Sequence, residues 1–145
     1  MKLTIILETA DNDFQGVINH PKFTLLAMED SMEELLTSFR DQIHGFMDNE
    51  LKDDIEWQGV KVEDIAFDYV ATVEGIFDTF DFLKISAVAR EAGINESQLR
   101  QYASGIKYPS ISTAKKIEQA LHKLAHSMLS MQVAQLPASR VQTAL

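Results

Sequence analysis

Apolar and polar residues alternate at the start of the chain as they do in β-strands. Leu3, Ile5 and Leu7 share one face of the first such run, and two further runs rich in apolar residues follow it. The runs cover residues 2–8, 13–19 and 23–28, and the polar segments 11–13 and 19–22 separate them. Short strands joined by short polar turns pair with their neighbours in the chain, so the sequence predicts an antiparallel meander of three strands.

A helical spacing of apolar residues follows the predicted meander. Ser31 has the side chain of a helix cap, and Glu34 completes a capping box with it. Apolar residues then recur every three or four positions in one stripe, which consists of Met32, Leu35, Leu36, Phe39, Ile43, Phe46 and Met47. We expect this stripe to cover the sheet. After an acidic connection around Trp57, residues 65–70 alternate as a fourth strand, so the sequence predicts a β-β-β-α-β domain of residues 1–73.

Residues 85–121 have the pattern of two short helices joined by a tight turn. Ala89 is small enough for two helices to cross closely, and Gly93 can take the positive φ that ends a helix. Asn95 can cap the next helix, and Gln98 supplies the return half of a capping box. The apolar positions that hold the two helices to a common core are Val88, Ala92, Ile94, Leu99 and Tyr102. This combination predicts a helix-turn-helix, a unit that reads duplex DNA.

Polar side chains face outward from the second of these helices, which we predict from Glu96 to Ala103. Residues in the N-terminal half of a recognition helix reach base edges in the major groove. The candidate DNA-binding residues are Asn95, Glu96, Ser97, Arg100, Gln101 and Lys107. Arg100 suits guanine, Gln101 suits adenine or phosphate, and Lys107 in the following loop suits a phosphate. The alternative is a helical bundle with a sharp turn, because two helices separated by a glycine are common.

The remaining segments complete a second domain that is all helical. Apolar residues within 74–83 predict a short opening helix, and Pro109-Ser110 begins a last helix. The apolar residues of that last helix are Ile111, Ala114, Ile117, Leu121, Leu124, Met128 and Met131. We therefore predict a helix-turn-helix domain at residues 74–133 and a flexible tail at residues 134–145.

Charge is divided unevenly along the chain, which has 145 residues and a formal net charge of −9. Residues 1–81 hold 5 Lys and Arg against 19 Asp and Glu, a net charge of −14. Residues 82–145 hold 8 against 3, a net charge of +5. Since an acidic surface repels DNA, the basic part is the predicted nucleic-acid module, and the acidic part is predicted to face a basic protein. The alternative is that the acidic surface serves only solubility.

The composition also bears on the cellular compartment in which we expect the protein. The chain has no cysteine, which excludes disulfides and thiolate metal sites and fits a reducing compartment. No secretory signal is visible, and no apolar stretch approaches the length of about 18 residues that a membrane-spanning helix needs. We expect a soluble cytoplasmic protein with no membrane partner.

An acidic β-β-β-α-β module followed by a helix-turn-helix resembles the HicB family of bacterial antitoxins, over about residues 1–130. The resemblance implies that the N-terminal module has a truncated ribonuclease H-like fold. It also implies that this module binds and neutralises a small basic toxin that cleaves RNA, and that the C-terminal module represses the operon. The expected fold class is therefore α+β.

Palindromic operators require more than one copy of the chain. One recognition helix covers only a few base pairs, so we expect a homo-oligomer that is at least a dimer. Met128 and Met131 lie past the last predicted core turn of the helical domain and are the expected interface residues.

No pattern in the sequence indicates catalysis. Glu8, Asp13 and Asp68 lie on or beside predicted strands, but nothing in their spacing separates a magnesium site from solubilising residues at strand ends. His122 and His126 are four positions apart on a helix, and no third metal ligand lies near them in sequence. We therefore predict that the protein is not an enzyme and that it has no metal and no cofactor.

A second function is open for the N-terminal domain. Its aromatic residues could line a pocket for a small molecule, which would make the protein a sensor that acts as a stand-alone repressor. These residues are Trp57, Phe67, Tyr69, Phe77, Phe80 and Phe82. Core packing is the alternative interpretation of the same rings.

Overall fold

The computed structural model describes residues 1–8 and 13–141. Its strands are β1 (Lys2–Glu8), β2 (Phe14–His20), β3 (Phe23–Glu29) and β4 (Ala66–Ala71). Its α-helices are α1 (Met32–Asp48), α2 (Val73–Thr79), α3 (Ile85–Ala92), α4 (Glu96–Ala103) and α5 (Ile111–Leu129). Short 3₁₀ turns lie at Val62–Asp64 and Ala138–Arg140. The predicted α+β class and the β-β-β-α-β order of the N-terminal part are confirmed.

The four strands form one mixed sheet in the order β3-β2-β1-β4. β1 pairs with β2 and β2 pairs with β3, both antiparallel, so the predicted meander is confirmed. β4 pairs parallel to β1 at the other edge of the sheet. Parallel strands need a crossover connection, and α1 provides it between β3 at one edge and β4 at the other.

Helix α1 covers one face of this sheet. Ser31 caps it as predicted, because the Ser31 Oγ accepts a hydrogen bond of 3.2 Å from the Glu34 N–H. Three residues of the predicted stripe, Leu35, Phe39 and Ile43, are completely buried. The strands contribute Leu3, Ile5, Leu7, Ile18, Phe23 and Leu25 to the same core. The stripe therefore packs on the sheet, as its spacing predicted.

β2 comes close to α1 at Gly16. A Cβ atom on Gly16 would lie 3.0 Å from Ile5 Cγ2 and 3.0 Å from Cε2 of the Phe39 ring. Such contacts are too tight for a packed interior, so a side chain at Gly16 would push the Phe39 ring outward. The missing side chain thus lets the helix pack onto the middle of the sheet.

The connection between α1 and β4 closes one end of the core. Trp57 is buried there, and its ring meets the Phe23 ring edge-on at 5.6 Å between centroids. Lys22 holds the connection to the β2–β3 turn by ion pairs of 2.5 Å to Asp54 and 2.9 Å to Glu56. The hydrogen bond from Lys22 lowers the pKa of the Asp54 carboxyl below its ordinary value.

The other rings that could line a small-molecule pocket occupy different environments. Phe67 and Phe77 are half-buried, whereas Tyr69, Phe80 and Phe82 are exposed. The Phe80 and Phe82 rings contact each other, and Trp57 contacts Phe23 instead. The six aromatic residues are therefore divided between the core and the surface.

The chain divides into two compact units, which we describe separately. The first holds the described residues of Met1–Leu83 and Arg100–Tyr108, and the second holds those of Lys84–Leu99 and Pro109–Leu145. In the second unit α3 packs on α5. Its buried side chains are Val88, Ala89, Leu99, Ile117 and Ala120. The boundary near Val73 that the sequence indicated stays a prediction.

Several elements differ from their sequence-based limits. The helix predicted within 74–83 begins at Val73, because the Thr72 Oγ1 accepts a hydrogen bond of 3.0 Å from the Gly75 N–H, and it ends at Thr79. The backbone of Phe80 leaves the helical region, with φ −110° and ψ 65°. On α5, Ile111 is 83% exposed, so the buried face of that helix begins later than its apolar pattern suggested.

Two predicted segments fall partly outside the described residues. Residues 11 and 12 of the first predicted turn lie outside the described residues, and so do the last four residues of the predicted tail. The described part of that tail contains the short 3₁₀ turn at Ala138–Arg140. In the described residues, no helix has the length and the apolar character that crossing a membrane requires.

The contact at Gly16 predicts the effect of adding one methyl group. Gly16→Ala should lower the free energy of unfolding by about 1–3 kcal/mol, because the new Cβ overpacks the core against Ile5 and Phe39. Gly45→Ala is the control, since an added Cβ there meets nothing within 4 Å on an exposed helical position. It should raise the stability by about 0.5–1 kcal/mol. Urea denaturation of both variants measures the difference, and equal stabilisation by both would contradict the close packing.

Candidate nucleic-acid interface

The turn between α3 and α4 is closed by backbone hydrogen bonds. Gly93 ends α3 with φ 68° and ψ 33°, which is the left-handed conformation predicted for it. The Gly93 N–H donates to the Arg90 carbonyl at 3.3 Å, and the Ile94 N–H donates to the Ala89 carbonyl at 3.0 Å. These bonds satisfy carbonyl groups that the end of a helix leaves open. The direction of the chain into α4 is therefore fixed by Gly93.

Asn95 starts α4 in the predicted way. Its Oδ1 accepts hydrogen bonds from the Ser97 N–H at 2.8 Å and from the Gln98 N–H at 3.4 Å. A cap of this kind stabilises the first turn of the helix, because free N–H groups there lack partners within the helix. The Asn95 Oδ1 is thus hydrogen-bonded to the backbone of α4, although Asn95 itself is exposed at the start of the helix.

The surface of α4 agrees with most of the predicted outward face. Glu96, Ser97 and Arg100 are exposed as predicted, whereas Leu99 and Tyr102 are buried. Gln101 differs from the prediction, because it is only half exposed and lies at the border between the two faces. Its side chain is therefore less accessible to a base than the three exposed ones.

Two exposed positions were missed in the sequence interpretation. Gln98 was assigned only to the capping box, yet its residue is exposed beside Ser97. Tyr108, which follows Lys107, is 73% exposed and carries a hydroxyl group. The signal for both was their place on or directly after the recognition helix, where donors and acceptors reach DNA.

The loop after α4 presents Lys107 to solvent. Gly105 ends the helix with φ 76°, and the Ile106 and Lys107 N–H groups donate to the Gln101 carbonyl at 3.1 and 3.3 Å. Lys107 is exposed, as a phosphate contact requires. Ser110 then caps α5, since its Oγ accepts a hydrogen bond of 3.3 Å from the Thr113 N–H.

Positive charge in the C-terminal part lies at the surface. The exposed cationic residues there are Lys84, Arg90, Arg100, Lys107, Lys115, Lys116, Lys123 and Arg140. Lys123 pairs with Glu91 at 2.8 Å, and this hydrogen bond raises the pKa of the lysine, which keeps it cationic. Exposed cations can replace the counterions of DNA phosphates, so each of these residues is suited to contact a nucleic acid.

The carboxylates and histidines considered as metal ligands have other surroundings in the structure. Asp68 forms an ion pair of 2.9 Å with Lys2 on the neighbouring strand, while His122 and His126 are exposed on α5. Within residues 1–8 and 13–141, no group of three His, Cys, Asp or Glu residues is placed to hold a metal ion.

The comparison with protein families agrees with this geometry. Residues 83–124 match the family model described as helix-turn-helix, which spans α3, the turn, α4 and most of α5. The protein is a DNA-binding transcription regulator. No curated protein and no solved structure matches the chain. The match covers the part of the chain that contains the Gly93 turn and the caps at Asn95 and Ser110.

The conformation of Gly93 predicts a selective cost for side chains. Gly93→Ala should lower the stability by about 1–2 kcal/mol, because a left-handed backbone brings Cβ too close to the carbonyl oxygen that follows. Gly93→Asn should cost less, since asparagine tolerates this conformation better. Both variants have open space around the new Cβ, so contacts with neighbours do not confuse the comparison. Urea denaturation followed by circular dichroism measures both, and equal losses would contradict the conformational explanation.

Proposed function

We propose that this protein represses transcription from a specific operator as a dimer and that its acidic part neutralises a small basic toxin that cleaves RNA. The helix-turn-helix match at residues 83–124, together with the exposed polar face of α4, carries the DNA-binding part of this proposal. In this proposal the chain acts by binding and not by catalysis.

DNA recognition follows from the exposed residues of α4 and its flanking turns. A recognition helix enters the major groove with its N-terminal residues toward the base edges. Arg100 is the residue suited to a bidentate contact with guanine, and Ser97 is short enough to let the helix approach closely. Lys107 lies outside the helix and suits a phosphate, which fixes the register without reading sequence. Base and backbone contacts are thus assigned to different residues.

This division predicts different effects for two substitutions of cations. Arg100→Ala should lose about 1–3 kcal/mol of discrimination at one base pair. Lys107→Ala should weaken binding to all sequences alike and reduce the salt slope by about 1. Fluorescence anisotropy with an operator selected from random duplexes, and with single-base variants of it, measures both. Lys52→Ala is the control, because Lys52 is exposed in the acidic part of the chain.

If the Arg100→Ala protein discriminates between bases as well as the unchanged protein does, the base-reading assignment of α4 is wrong. If Lys107→Ala and Lys52→Ala have the same effect on affinity and on the salt slope, the phosphate contact is wrong.

The second half of α5 supports the proposed dimer. Leu121, Leu124 and Met128 of α5 follow the alternating spacing of three and four residues that lets two helices pack along a seam, and Met131 continues this spacing just past the end of the helix. The first two are half-buried, whereas Met128 and Met131 are 62% and 75% exposed. An exposed continuation of a core stripe is suited to a second copy of the same helix, which would pair two recognition helices for the two halves of an operator.

The seam predicts different effects for two neighbouring exposed residues. Met128→Glu should weaken dimerisation at least tenfold, about 1.4 kcal/mol, because it places a charge in the seam. Leu129→Glu is the control, since Leu129 is 85% exposed and lies one position off the stripe. Light scattering over a range of concentrations measures both. A monomeric unchanged protein at tens of micromolar, or equal effects of the two variants, would contradict the proposed seam.

Three observations support the antitoxin part of the proposal. Residues 1–81 have a net charge of −14, the N-terminal part has the β-β-β-α-β order, and the arrangement of the whole chain resembles the HicB antitoxins. An acidic surface attracts a basic protein at long range and accelerates the encounter. Since the helix-turn-helix match at residues 83–124 lies outside the predicted acidic domain of residues 1–73, DNA binding and toxin binding need not compete, and the toxin can act as a corepressor by linking DNA-bound dimers.

The antitoxin role predicts that the adjacent reading frame encodes a small basic protein, and co-expression with that protein tests the role. The unchanged chain should restore growth when that neighbour is expressed from a foreign promoter. The Arg100→Ala chain should restore growth equally well, because the substitution weakens operator recognition and leaves the acidic part unchanged. A neighbour that is not toxic, or growth that the unchanged chain does not restore, would contradict the antitoxin role. The sensor that acts as a stand-alone repressor then becomes the better account.

A further inference from the structure

The sheet has one face that α1 leaves uncovered. On this face Ile6 pairs with Val17 on one side and with Val70 on the other, and Val17 pairs with Leu26. Paired residues on neighbouring strands lie side by side on the same face, so these four apolar side chains form a row across all four strands. We name it the open-face row. It is about 14 Å long, because neighbouring strands lie about 4.8 Å apart.

The open-face row is accessible at both of its ends. Leu26 is 63% exposed on β3 and Val70 is 55% exposed on β4, whereas Val17 in the middle is nearly buried by its neighbours. Met28, two positions along β3 on the same face, is 53% exposed and extends the row toward the end of the strand. Contiguous exposed apolar side chains of this kind mark interaction surfaces more often than scattered ones do.

A strongly acidic groove lies around the β3 edge from the row, on the side of the sheet that α1 covers. It lies between β3 and α1, and its lining consists of Glu29, Ser31, Glu33, Glu34, Thr37, Ser38, Asp41 and Gln42. Four of these eight residues are carboxylates, and none is a Lys, Arg or His. The local field therefore attracts cations and repels another acidic surface.

These charges decide between the possible occupants of the row. A second copy would bring another acidic part with a net charge of −14 in residues 1–81 against the first, and like charges oppose such a contact. Addition of a strand along β3 meets a further obstacle, because the Gln42 Nε2 donates a hydrogen bond of 3.0 Å to the Leu26 carbonyl at that edge. A basic protein that covers the face of the sheet meets neither obstacle.

We infer that the open-face row is the docking surface for the basic partner, with apolar contacts across β1 to β4 and with cationic residues of the partner over the groove beside β3. This inference rests on the proposed antitoxin function and assigns the surface that performs it. The apolar contacts determine how long the complex lasts, and the groove determines how fast it forms. The helix-turn-helix takes no part in this contact.

Surface plasmon resonance with the full-length chain and the small basic protein encoded beside it separates the two contributions. Leu26→Ser should raise the dissociation rate about tenfold, while the association rate changes little. Ile55→Ser is the control, since Ile55 is 85% exposed in the connection after α1 and lies outside the row. Circular dichroism and operator binding of each variant verify that it is folded.

Removal of three groove carboxylates tests the electrostatic contribution. The variant Glu33→Gln, Glu34→Gln, Asp41→Asn should lower the association rate about tenfold at low salt, and the difference should shrink as salt is added. The matched control removes three exposed carboxylates elsewhere in the acidic part, by Glu50→Gln, Glu63→Gln and Asp64→Asn. It changes the net charge equally, so only the position of the charge differs between the two proteins.

Met28 provides a measurement that needs no substitution. With ¹³C-labelled methionine methyl groups, the Met28 signal of the unchanged chain should shift on saturation with the basic protein. The Met47 signal should stay in place, because Met47 is half-buried against the core on the α1 side. This measurement decides the question if Leu26→Ser fails to fold.

The outcomes distinguish the docking surface from the function on which it rests. If the unchanged chain does not bind the neighbouring basic protein, the antitoxin function fails and the docking surface fails with it. If the unchanged chain binds but the row and groove variants behave as their controls do, or if the Met28 signal does not move at saturation, the partner binds elsewhere. The surface is then wrong and the antitoxin function stands.

Discussion

The close packing of α1 on β2 at Gly16 determines the character of the whole N-terminal part. Because α1 is the crossover between β3 and β4, it must lie on one face, and the missing side chain of Gly16 lets Phe39 reach the middle of that face. A helix can lie on only one face of the sheet, so α1 covers the face that holds Leu3, Ile5, Ile18 and Leu25. The opposite face has no helix to cover it in the N-terminal part that the structure describes. A stable core and an exposed apolar row are thus two results of one topology.

Most of the fold follows from local patterns in the sequence. Alternation located three strands to within one residue, and the Ser31 cap with the apolar stripe located α1. The pairing of β4 with β1 has no local signal, because it joins residue 2 to residue 66 and depends on the path of the crossover. The end of α2 was misplaced for a related reason. Phe80 and Leu83 continue a helical spacing, but the backbone leaves the helix at Phe80.

The turn and the start of α4 in the candidate site were predicted from the sequence, whereas the exposure of its side chains was predicted only in part. Gly93 and Asn95 act through their own backbone and side chain, so their residue types were sufficient to locate the turn and the start of α4. The exposure of Gln101 depends on where the helix packs against its neighbours, so spacing alone did not show that this residue is only half exposed. The open-face row was missed for a similar reason, since it exists only when strands that are distant in the chain lie in register.

The register of β1 also has a consequence for the order in which the chain folds. β1 is made before both of its partners, and it pairs with β2 close by and with β4 only after residue 66 has been made. Contacts between distant residues form slowly, whereas the helices of the helix-turn-helix are closed by hydrogen bonds between neighbours in the chain. Until β4 arrives, one edge of β1 is unpaired and open to other strands. A chain that is cut short before Ala66 therefore carries an exposed strand in place of a finished sheet, and aggregation is the expected fate of such a fragment.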